Sequence, residues 1–70
     1  MKNGINMCSF VTIGNIYVVY TNYGRKFAAM AIAEDNTRIQ FQSSNGFRSI
    51  VSKEAIIEIS DLGLPKNAVI

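Results

Sequence analysis

Glycine stands at positions 4, 14, 24, 46 and 63, and the single proline is at 65. Both residues interrupt regular structure, so they divide this chain into pieces of roughly strand length. The one long uninterrupted stretch, between Gly24 and Gly46, carries its own turn signal at Asp35-Asn36. Short apolar pieces separated by Gly, Asn, Asp and Ser are the pattern of a small all-β domain.

Residues 7–13, MCSFVTI, are expected to form a strand, followed by a tight hairpin turn at Gly14-Asn15, where both residues tolerate positive φ. Residues 16–21, IYVVYT, are β-branched and aromatic and read as a buried strand. Asn22-Tyr23-Gly24 turns the chain. Residues 38–42, RIQFQ, alternate cleanly, which predicts a strand with Ile39 and Phe41 inward and Arg38, Gln40 and Gln42 facing water. Asn45-Gly46 is a strong hairpin signal between that strand and the next, residues 47–52. Ser52-Lys53-Glu54-Ala55 reads as one helical turn capped by Ser52, residues 56–59 as a short last strand, and residues 60–70 as an apolar tail.

The segment RKFAAMAIAEDN from Arg25 to Asn36 is ambiguous. Its alanines, methionine and glutamate favour helix. A helix over residues 27–36, however, begins behind two cations and ends on Glu34-Asp35, both opposite to what the helix dipole favours. A strand over residues 25–33 sets small residues along one face, where a sharp bend is tolerated. The strand is preferred, with α+β as the alternative.

Seventy residues, 49% hydrophobic and 17% charged, describe one globular domain with a marginal core. Small domains usually carry a staple. With Cys8 as the only cysteine and no histidine, neither an internal disulfide nor a zinc site is expected. A second copy of the chain is then a candidate source of stabilisation. A net charge of +2 is a weak footprint for nucleic acid. The N-terminus does not read as a signal peptide and no stretch is long enough to span a membrane, so a reducing, cytoplasmic setting is expected.

No nucleophile has a histidine to activate it, and Glu34-Asp35 read more simply as a solvated turn than as a catalytic or metal pair. The expectation is a non-enzyme without cofactor or metal. Arg25 and Lys26, with Arg38, Arg48 and Lys53, interleaved with Tyr20 and Tyr23, are candidates for a nucleic-acid or partner surface. The plainer reading is solvated charge with half-buried tyrosines. Phe47, at a hairpin tip, is either an exposed partner anchor or a core aromatic. Cys8 reads as a small buried hydrophobe.

With the strand reading, VVYTNYG, RKFAAMAIAED, NTRIQFQ and FRSIVSKEAIIEI follow one another in a layout that resembles the Sm-like fold, and in particular the Hfq family, over about 45 residues. The resemblance implies a small SH3-like or Sm-like barrel of five to six strands. It places Tyr20, Gly24 and Lys26 where that family stacks and holds adenines, and Lys53 at part of its uridine site. The family's base-reading glutamine, its stacking phenylalanine and its histidine are replaced here by Ala28, Asn36-Thr37 and Glu54, and Ala29 stands for the second glycine of the bend. A looser similarity, in the apolar tail, is to the Rof family of Rho inhibitors, which act by protein contact. Two functions follow as expectations: a small protein-binding regulator or inhibitor, which is favoured, and an RNA- or single-stranded DNA-binding protein.

Overall fold

The computed structural model describes residues 9–65. Five strands follow one another: β1 (Ile16–Thr21), β2 (Lys26–Glu34), β3 (Arg38–Gln42), β4 (Arg48–Ser52) and, after a single 3-10 turn at Lys53–Ala55, β5 (Ile56–Gly63). They form one antiparallel sheet in the order β4-β3-β2-β1-β5. The protein is therefore all-β over the described residues. The edge strands β4 and β5 do not pair with each other, so the sheet is open, and the expected closed barrel is corrected on that point.

The ambiguous segment is a strand, not a helix, and two of its four alanines, Ala29 and Ala31, face the core while Ala28 and Ala33 are exposed. Ala29 and Ala31 are buried with Tyr17, Val19, Ile39, Phe41, Val51 and Val11, while Phe27, Ile56 and Ile59 pack against that cluster. β2 passes from one neighbour to the other at Met30, which pairs with Ile16 of β1 on one side and Gln42 of β3 on the other.

The sheet curls strongly along β2. Ser49 pairs with Phe41, which pairs with Ala31. In a flat sheet Arg25 would lie about 20 Å along the strand from that row, at ~3.3 Å per residue. Instead its guanidinium donates to Ser49 Oγ at 3.2 Å. The rings of Phe27 and Phe41 likewise meet edge-to-face with centroids 5.4 Å apart. The N-terminal half of β2 is thus folded over the inner face, and small side chains at 29 and 31 leave room for it.

Turn chemistry sets the strand ends. Gly24 has φ of +85°, and its N–H donates to the Thr21 carbonyl. The buried Thr21 hydroxyl accepts from the Arg25 N–H and donates to the Arg25 carbonyl, which leaves no orphan polar group. Asp35 Oδ1 accepts from the N–H groups of Thr37 and Arg38, closing the β2–β3 turn.

Three expectations need correction. Residues 9–13 form no strand, and Met7 and Cys8 lie outside the described residues. The segment runs across the sheet as a strap because its backbone donors go elsewhere: the Phe10 N–H to the Glu34 carboxylate and the Thr12 N–H to the Tyr17 hydroxyl. Val11 drops into the core between them. The turn expected at Gly14-Asn15 is centred one residue earlier, on Ile13-Gly14, where the Asn15 N–H donates to the Thr12 carbonyl, and it delivers the strap to Ala31 of β2 instead of closing a hairpin. β5 continues past residue 59 to Gly63, which shortens the tail.

This packing predicts opposite outcomes for neighbouring alanines. Ala31→Leu overfills the inner face and lowers stability by about 1–3 kcal/mol. Ala28→Leu, on the exposed outer face, stays within about 0.5 kcal/mol. Urea denaturation of both variants checks the facing, and equal effects would contradict it.

Candidate functional site

Among the candidate residues, the fold brings Tyr20 and Lys26 together as direct cross-strand partners on the outer face. Glu58 of β5 stands opposite Tyr20 on its other side, and Val18 and Ser60 line the same shallow trough. The other cations go elsewhere. Arg25 lies 4.5 Å over the ring of Phe27. Arg38 pairs with Asp35 at 3.5 Å, and Arg48 Nε donates to Gln42 Oε1 at 3.1 Å. Lys53 pairs with Glu34 at 2.9 Å. Tyr23 and Phe47 are exposed, at 61% and 66%, so Phe47 is not a core aromatic. Each of these four cations therefore has a contact within the protein, and of the five only Lys26 stands directly beside Tyr20.

Glu34, expected in a solvated turn, is instead the last residue of β2 and pairs with Lys53. Both side chains are only about 10% exposed, at 11% and 10%. The Glu34 carboxylate also accepts from the Ser9 hydroxyl at 2.9 Å and from the Phe10 N–H at 2.7 Å, while the Lys53 ammonium sits 4.8 Å over the Phe10 ring. Strict alternation from Met30 would put Glu34 on the outer face. The register shift between Ala31 and Ala33 adds one residue and sets Glu34 opposite the buried Ile39. No spacing in the chain announces that bulge. Burial pushes the Glu34 carboxyl up. Lys53, the Phe10 N–H and the Ser9 hydroxyl outweigh it, and the group is held below its ordinary value. Asp35 is also held low, chiefly by the Thr37 and Arg38 N–H groups.

A third feature is the edge at β4, which has no second neighbouring strand among the described residues. The Ser43 N–H donates to the Phe47 carbonyl, and the Lys53 N–H donates to the Thr37 carbonyl. Ladder alternation between these bonds directs Ser49 and Val51 toward β3, and turns the N–H and C=O groups of Arg48, Ile50 and Ser52 outward. β4 pairs with β3 without any register shift, and its central Ile50 is 61% exposed. The opposite edge differs, since β5 pairs with β1 through two irregularities, next to Ile57 and Leu62. Bulges blunt an edge against further pairing. β4 has no such protection.

Among the described residues there is no group of three or more His, Cys, Asp or Glu placed to hold a metal, and no helix long and apolar enough to cross a membrane. Comparisons with protein-family models, curated proteins and solved structures found no match to this chain.

The strap provides a pH-dependent prediction. A carboxyl held below its ordinary value of 4.5 contributes stability that is fully present above that pH and is lost as pH falls through the folded-state value. Glu34→Ala is expected to lower stability by about 1.5–3 kcal/mol at neutral pH. Urea denaturation at pH 7 and pH 3 should show the gap to wild type closing in acid. A gap of constant size would contradict the account.

Proposed function

We propose that this protein is a non-catalytic binding module, a small regulator or inhibitor that takes an extended segment of a protein partner onto the open edge of β4. The observation that supports this reading is the unbulged β4 edge, with the backbone groups of Arg48, Ile50 and Ser52 turned away from β3 and Ile50 exposed between them. Strand addition of this kind draws affinity from main-chain hydrogen bonds and specificity from alternate side chains. Here the alternate positions present Arg48 and Ile50. The matching segment carries an acidic residue opposite Arg48 and an apolar one opposite Ile50, with Phe47 as a second apolar contact at the end of the edge. The resemblance to the Sm-like fold supports the reading at the level of a small all-β scaffold. The lone Cys8 is consistent with a reducing, cytoplasmic setting.

A second reading, binding of RNA or single-stranded DNA, draws its support from Tyr20 beside Lys26. It is the weaker one, because Arg25, Arg38, Arg48 and Lys53 already contact protein groups.

Proline scanning tests the edge. The Ile50 N–H points outward, so Ile50→Pro removes a docking donor without breaking the β3 ladder, whereas Val51→Pro breaks the ladder and unfolds the sheet. Extended peptides selected against the wild-type protein should lose binding to folded Ile50→Pro by about tenfold or more. Retained binding would overturn the edge. Fluorescent oligo-A and oligo-U should show no salt-steep micromolar affinity; such an affinity, lost in Lys26→Glu, would favour the second reading instead.

A further inference from the structure

The outer face of β1 and its two neighbours is a separate surface from the β4 edge. Ile16, Val18 and Tyr20 run down its middle. Met30, Ala28 and Lys26 stand opposite them on β2, and Ser60 and Glu58 stand opposite Val18 and Tyr20 on β5. Tyr20 is 41% exposed and Ala28 is also exposed. Val18, Tyr20, Lys26, Glu58 and Ser60 line one shallow trough, and Ile16, Ala28 and Met30 line a second beside it, with Pro65 in its wall. At one end of the first lies the row Glu58–Tyr20–Lys26.

That row carries one acid and one base on either side of an aromatic. Two inter-strand spacings, about 10 Å, and the Tyr20 side chain separate them, and they do not pair with each other. Among the described residues neither side chain has an ion-pair partner.

We infer that this face is an isologous dimer interface for a second copy of the chain, packed face to face about a two-fold axis parallel to β1. The symmetry follows from the charge order. Rotation about such an axis reverses the order across the strands, so Lys26 of each copy lies over Glu58 of the other. The same rotation keeps the middle column on the axis, where Tyr20 meets its own counterpart and Val18 meets Val18. Aligned packing of two sheets is an ordinary geometry for antiparallel faces. Any other arrangement that buries the apolar column either leaves these two charges unpaired or sets like against like. The area is small: three strands by three rows of side chains bury a few hundred Å² per copy, on the order of the smallest specific interfaces. The dimer is therefore weak and concentration-dependent, and it leaves the β4 edge free.

Charge exchange on the intact chain tests this. Sedimentation equilibrium is run from tens of micromolar to about a millimolar, with circular dichroism to confirm folding. Wild type should dimerise in that range, and added salt should weaken it. Lys26→Glu and Glu58→Lys should each weaken the dimer by about tenfold or more, since each turns two attractive contacts into repulsive ones. The double exchange K26E/E58K should return to within about threefold of wild type, because it restores both pairs. A wild type that stays monomeric at a millimolar overturns the proposal. So does self-association that neither single reversal weakens, or a double exchange no better than the two singles added together.

Discussion

A nine-residue strand that serves two halves of a curled sheet cannot keep strict alternation along its length, and β2 meets that constraint with an extra residue between Ala31 and Ala33. Before the shift, Phe27, Ala29 and Ala31 face inward; after it, Glu34 does. The bulge therefore decides what closes the end of the core. In place of an apolar residue it presents a carboxylate, which is tolerable there because Lys53, Ser9 and the Phe10 N–H satisfy it. The strap over residues 9–13 and the 3-10 turn carrying Lys53 are both held by that one side chain.

The alanines are the other half of the same constraint. The inner face of β2 must pass close beneath its own folded-over start, where Phe27 reaches Phe41 and Arg25 reaches Ser49. Larger residues at 29 and 31 would hold the two halves apart. Helix propensity in this segment is real but small per residue. It yields to a core in which Val19, Ala31, Ile39 and Phe41 are fully buried.

Much of this was legible in the chain. RIQFQ alternates as its faces demand, IYVVYT forms a strand as expected although only Tyr17, Val19 and Thr21 of it are buried, Asn45-Gly46 and Asn22-Tyr23-Gly24 turn where expected, and Ser52 caps its turn by accepting the Glu54 N–H. What escaped depends on tertiary partners. MCSFVTI has the composition of a strand, yet Phe10 and Thr12 give their N–H groups to side chains more distant in the sheet. The tyrosine–cation surface was partly legible, because Tyr20 and Lys26 flank one turn. Yet the same turn sends Arg25 to the inner side, where Phe27 and Ser49 take it. The openness of β4 was not legible at all, since it is set by which strand lies beside it.

An open and unblunted β4 edge is the central claim, and amide hydrogen exchange on the free protein at low concentration tests it most directly. Ser49 and Val51, bonded to β3, should be protected, while Arg48, Ile50 and Ser52 exchange at rates close to those of an unstructured chain. Equal protection along all five residues would mean that the edge is already covered, and would contradict the account.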